Sequence, residues 1–136
     1  MINIRLATEA DLPFLEKNDR HIRLSEIKAL IGQNRILLAE MDGEIIGWLR
    51  WSLFWDNTPF MNMLYFLEGY RGKGYGRQIV EHWENQMRHE GYDLVMTSSL
   101  SDEQAQHFYR KLGYVDSGSL LLPGEALEII FTKSLR

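Results

Sequence analysis

The stretch Glu68-Gly-Tyr-Arg-Gly-Lys-Gly-Tyr-Gly76 limits what this chain can fold into more than any other. The apolar run before it, residues 61–67, reads as a buried strand. After it, Ile79, Trp83 and Met87 recur at helical spacing within residues 77–88. A strand, a loop holding Gly72, Gly74 and Gly76, and then a helix make an anion site. Glycines let backbone approach a ligand, and a helix N-terminus supplies unpaired N–H groups with a favourable dipole. Two nucleotide loops do not fit. A P-loop needs Lys and then Ser or Thr after its last glycine, but Gly74 is followed by Tyr75 and Gly76. A dinucleotide loop needs G-x-G-x-x-G, whereas the glycines here fall at every second position. A glycine-rich connection with no ligand is the plain alternative.

A chain of 136 residues predicts one domain spanning 1–136, large enough for a real core. The net charge of −4 argues against a nucleic-acid partner bound by phosphate neutralisation. The absence of cysteine removes thiol catalysis, disulfides and thiolate-held metals, and the four histidines show no metal spacing. No apolar run reaches membrane-spanning length and no signal-peptide core opens the chain, so neither a membrane nor a metal is expected, and the cytoplasm is the expected compartment.

In chain order, residues 2–6 alternate as a first strand, and Thr8 with Asp11 marks a helix start that tolerates Pro13 in its first turn. Ser25 is positioned to cap a second helix ended by Gly32. Asp42-Gly43 between apolar runs predicts a hairpin, and Trp55-Asp-Asn-Thr-Pro59 breaks its second strand. Gly91 stops the central helix, a fifth strand runs parallel to the fourth, and Ser101 with Gln104 reads as a capping box for a helix closed by Gly113. Two more strands flank Pro123-Gly124. The order βααβββαβαββ is an α/β (α+β) fold: a mixed, largely antiparallel sheet of about seven strands flanked by four helices.

Arg71-Gly-Lys-Gly-Tyr-Gly76 resembles the Arg-x-x-Gly-x-Gly loop of the GCN5-related N-acetyltransferase (GNAT) family, and Gln104-Ala-Gln-His-Phe-Tyr-Arg-Lys-Leu-Gly-Tyr114 resembles its second signature. The element order is similar over essentially the whole chain. One departure is Asp102, where the family often has Asn.

The resemblance implies acetyl-CoA as acyl donor. Backbone groups of Phe66, Leu67 and Glu68 would pair with its pantetheine arm, in a gap where the fourth and fifth strands splay. The loop Gly72, Lys73, Gly74, Tyr75, Gly76 and Arg77 would hold its pyrophosphate, with Arg71 and Lys73 adding charge and Asp102 at the Asn position. Tyr109 is the implied general acid for the departing thiolate, since a phenol holds its proton at neutral pH. Glu68 is the candidate base. His21, Trp55 and Asp56 are the candidate acceptor contacts, Trp55 and Asp56 by cation–π attraction plus charge. The expectation is an N-acetyltransferase moving acetyl to a primary amine by direct attack in a ternary complex. Its acceptor would be a small molecule or a peptide, and the protein a monomer or homodimer. A non-catalytic acyl-CoA sensor on the same fold and an interaction domain with an empty loop are the alternatives.

Overall fold

A computed structural model describes residues 1–136. The strands are β1 (Asn3–Leu6), β2 (Ile36–Met41), β3 (Glu44–Phe54), β4 (Thr58–Phe66), β5 (Leu94–Leu100), β6 (Val115–Leu120) and β7 (Glu128–Ser134). The helices are α1 (Leu12–Asn18), α2 (Leu24–Gly32), α3 (Tyr75–His89) and α4 (Ala105–Lys111), with a 3-10 turn at Glu9–Asp11 leading into α1. The seven strands hydrogen-bond in the order β1-β2-β3-β4-β5-β7-β6. The mixed, mostly antiparallel sheet with four helices is the expected architecture. The chain divides into two compact units, 1–52 with 63–83, and 53–62 with 84–136.

In the first unit, β2 pairs antiparallel with both β1 and β3. The turn between β2 and β3 has Asp42 at φ 51° and Gly43 at φ 80°. Left-handed backbone at both central positions matches the twist of the flanking strands, which is why Asp-Gly serves there. Helices α1 and α2 bury Leu15, Ile27 and Ile31 in one core with Ile36, Leu38 and Trp48 of the hairpin. Trp51, an odd number of residues from Trp48 along β3, lies on the opposite face and meets Trp83 of α3 at 6.4 Å between rings. Ile79 and Val80 of α3 are also fully buried.

In the second unit, Phe60 and Met61 of β4 run parallel to Met96 and Thr97 of β5. β5 pairs antiparallel with β7, and β7 with the edge strand β6. Glu84, buried on α3, accepts from Tyr114 Oη at 2.8 Å and from Lys133 Nζ at 3.0 Å. The carboxylate and burial together push the Tyr114 pKa up, burial being the larger cause.

Four local expectations need correction. Helix α2 begins at Leu24, with Arg23 in extended backbone before it, so Ser25 lies inside the first turn and caps nothing. Gly32 is helical; the residue in left-handed backbone is Asn34 at φ 59°, and Arg35 N–H donates to Leu30 C=O to close the end. An Asn side chain tolerates that conformation, so the true stop lay two residues beyond the glycine. Ser101 and Gln104 form no capping box, because α4 starts only at Ala105. The turn is tied instead by Gln106 Nε2, which donates to the carbonyls of Ser101 at 2.7 Å and Glu103 at 2.8 Å. Helix α3 begins at Tyr75, two residues before the expected start, so Tyr75 and Gly76 are helical.

Candidate active site

The glycine loop leaves β4 at Phe66 and enters α3 at Tyr75. Gly69, Gly72 and Gly74 have φ of 94°, 71° and 84°. A β-carbon built at any of them meets no heavy atom within 4 Å, so the space beside this backbone is open. Side chains there would be strained by conformation alone, which is the physical need for glycine. Tyr75, Gly76 and Arg77 open a helix of 15 residues whose first N–H groups have no intrahelical partner, and no acid sits in its first turn. An anion is the ligand such a loop suits.

Arg71 folds back over its own strand. Its Nε donates to Phe66 C=O at 2.8 Å, and its guanidinium lies over the Tyr65 ring at 4.9 Å. The contact holds the loop's first turn against the end of β4 and keeps a cation at the loop's base. Arg77 Nε reaches Glu81 one helical turn on at 3.2 Å, which leaves its backbone N–H for the loop. Lys73 and Glu68 are exposed. Behind the loop, Gly47 of β3 admits the Phe66 ring: a β-carbon there would lie 2.5 Å from it.

Next to the end of β4 in the same unit is a cleft of about 380 Å³, lined by Lys17 and Asn18 at the end of α1, by Asp19 to His21 of the connection after it, by Trp48, and by Met63, Tyr65 and Leu67. His21 is therefore brought beside Leu67. The connection is held by Asp19, whose Oδ2 accepts from Arg50 Nε at 2.7 Å and from Trp48 Nε1 at 3.1 Å. Its Oδ1 accepts from the backbone N–H of His21 at 3.3 Å. Arg50 and Asp19 side chains are only 8% and 1% exposed, so the pair is a buried one. The Trp48 ring packs against Phe14 edge-on at 5.7 Å and against Tyr65 at 5.0 Å, which fixes the cleft wall. Sequence alone assigned no specific role to Asp19 and did not point to Tyr65. The available signal was Arg50, a charge inside an apolar strand, which demands a buried partner.

The remaining candidates belong to the second unit. Tyr109 of α4 is buried, against Phe108, Tyr114 and Phe131 at ring distances of 5.3, 5.7 and 6.0 Å. Burial pushes its pKa up to about 12; a hydrogen bond with Thr97 pulls the other way, and the charge of Glu103 pushes it up further. The phenol is thus a proton donor at neutral pH. Its helix ends at Gly113, φ 95°, where Tyr114 N–H donates back to Tyr109 C=O at 3.1 Å. Asp102 is exposed in the turn before α4. Trp55 and Asp56 form the tip between β3 and β4, where Asn57 N–H donates to Phe54 C=O at 3.2 Å. Both have left-handed backbone, φ 53° and 63°, and Trp55 is 80% exposed. Such backbone costs about 1–2 kcal/mol for a residue with a β-carbon, and a tryptophan without burial to offset it is unusual.

The profile of the Acetyltransferase (GNAT) family matches residues 4–114. The chain belongs to this family. Solved structures similar to this GNAT chain include an acetyltransferase of the GNAT family from Bacillus cereus, 23% identical over 98% of this chain and 97% of that one, TM-score 0.80. A ribosomal-protein-alanine N-acetyltransferase from Brucella melitensis is 20% identical over 97% and 99%, TM-score 0.80. The protein yncA from Salmonella typhimurium, solved with its cofactor acetyl-CoA, is 18% identical over 100% and 95%, TM-score 0.79. At such identities the likeness is one of fold. No curated protein sequence matches the chain. The GNAT sheet and helices account for all seven strands and four helices described above. No group of three or more His, Asp or Glu could hold a metal ion, and no helix is long and apolar enough to cross a membrane.

Proposed function

We propose that the protein is a single-domain acetyl-CoA-dependent N-acetyltransferase acting on a primary amine by direct attack in a ternary complex. The observation that carries this reading is the loop after β4, in a chain of the GNAT family: Gly69, Gly72 and Gly74 in left-handed backbone, open space beside them, and the free N–H groups of Tyr75, Gly76 and Arg77 behind. Those N–H groups hold the donor's pyrophosphate, with Arg71 and Lys73 nearby in sequence. Backbone groups of Phe66, Leu67 and Glu68 hold its pantetheine arm as an added strand.

In the reaction the neutral amine nitrogen attacks the thioester carbonyl, a C–N bond forms, and the C–S bond breaks. Tyr109 Oη gives its proton to the departing sulfur and regains one from solvent. The raised pKa keeps that proton in place until the sulfur develops charge. Glu68 takes the proton that the amine sheds, directly or through water. The acceptor enters through the cleft lined by Leu67 and His21.

Coenzyme A release from acetyl-CoA with a broad amine panel tests the reading. Turnover with any amine supports it. A thermal shift with acetyl-CoA and no turnover would establish the acyl-CoA sensor in its place, and no shift at all would favour an interaction domain. Tyr109→Phe is expected to lower kcat by about 10²-fold and leave acetyl-CoA affinity nearly unchanged. A full-rate Tyr109→Phe enzyme removes the general-acid role.

A further inference from the structure

The cleft lined by Lys17 to His21 has the wrong electrostatic sign for a polyamine. Asp19 is its only acid, and both carboxylate oxygens are occupied, by Arg50, Trp48 and the His21 backbone. Its charge is spent on the buried Arg50 guanidinium. Lys17 and Arg20 line the same cleft with exposed side chains and no such partner of opposite charge beside them, in a chain whose net charge is −4. The aromatic surface of the cleft is the exposed Tyr65 ring, backed by the buried Trp48 at 5.0 Å between rings. Opposite charges attract across such a small aperture and like charges repel, so the cleft selects against dications and for a compact anion-bearing molecule.

Resting on the acetyltransferase reading, we propose that the acceptor is a free amino acid: a primary amine whose adjacent carboxylate is held by Lys17 and Arg20 and whose apolar side chain lies on the exposed Tyr65 ring. A volume of about 380 Å³ suits a molecule of that size. The same cations serve the chemistry. A bound ammonium beside them loses its proton more readily than in water, because a like charge disfavours the charged form, and the neutral amine is the nucleophile. Lys17 and Arg20 are thus specificity residues for the carboxylate and also raise the fraction of amine able to attack.

The test uses the full chain with phenylalanine, phenylalaninamide and phenethylamine as a matched trio and spermidine as cationic control. Coenzyme A release reads turnover, and calorimetry on the coenzyme A complex reads binding. The amino acid is expected to exceed its amide and its decarboxylated amine by about tenfold or more in kcat/KM or affinity. Lys17→Gln and Arg20→Gln should each abolish most of that preference while KM for acetyl-CoA stays unchanged. Equal or better use of the amide, preference for spermidine, or no binding of the amino acid overturns the assignment. Turnover of the amide or spermidine alone leaves the transferase reading standing without this one. Amino-acid-selective binding without coenzyme A release upholds the cleft assignment and removes the transferase reading.

Discussion

Two buried carboxylates in this molecule make almost the same set of contacts and do different work. Asp19 accepts from Arg50 at 2.7 Å and the Trp48 indole at 3.1 Å; Glu84 accepts from Lys133 at 3.0 Å and the Tyr114 phenol at 2.8 Å. Each pairs one cation and one aromatic donor with a side chain 1% and 3% exposed respectively. Asp19 stands on irregular backbone between α1 and α2, where these bonds are what hold the cleft's rim. Glu84 stands inside α3, whose backbone is already fixed by its own hydrogen bonds. The cations differ as well. Arg50 is 8% exposed and has nowhere else to go, whereas Lys133, at 22%, has a flexible stem that can carry its ammonium to water. A buried charge pair is therefore best judged by what its backbone and its partner can do once it is broken.

The largest expected effect is at Asp19. Asp19→Ala strands the Arg50 guanidinium, and unfolding in urea is expected to show a loss of about 3–5 kcal/mol. Acceptor KM should rise with it, since the rim loses its tether; unchanged acceptor kinetics would detach this pair from the cleft. Gly47→Ala comes next. It leaves the charge pair alone and drives a β-carbon to 2.5 Å from the buried Phe66 ring. The cost is expected near 1–3 kcal/mol, together with a raised KM for acetyl-CoA as the end of β4 shifts. Glu84→Gln keeps the shape and most of the hydrogen bonds of the second cluster. A loss of about 1–3 kcal/mol with both KM values unmoved is the expected outcome, and a kinetic change would show that Glu84 supports the site as Asp19 does.

A third carboxylate has a partner that stays partly in water. Asp11 is paired with Arg5 at 2.8 Å and accepts the Thr8 N–H at 2.7 Å, and the Arg5 side chain is 32% exposed. The hydrogen bond from Arg5 is the main cause that holds the Asp11 carboxyl below its usual value of 3.8. A lowered folded-state pKa means stability present above that usual value and lost as pH falls through the folded one. Acid unfolding of Asp11→Asn should accordingly show a shallower loss below about pH 3.8, the smallest of these effects. An acid profile identical to that of the parent would show that the pair adds nothing to stability.

The parts legible in the sequence were those where one residue type answers one local need. Asp42-Gly43 supplied two left-handed positions, Gly91 and Gly113 ended helices at φ 91° and 95°, and Ile79, Trp83 and Met87 marked a buried helical face. The misreadings arose where two residues could do the same job. Gly32 and Asn34 could each end α2, and Ser25 looked like a cap in a stretch where an uncapped start one residue earlier was held by packing instead. The glycine loop was legible because backbone that must take positive φ and lie open to a ligand leaves a compositional mark.

The element order, the glycine-rich loop after β4 and the tyrosine at 109 could all be read along the chain. Each follows from spacing along the chain, which local backbone geometry reads directly. Only the tertiary structure decided the cleft, because the partners that build it, Asp19 with Trp48 and Arg50 or His21 with Leu67, are far apart in the chain. Folding also pairs Asp19 with Arg50, which leaves Lys17 and Arg20 as the unpaired charges lining the cleft. Sequence spacing carries no information on which buried charge finds which; that is set by the low-dielectric interior, where every ion must have its partner.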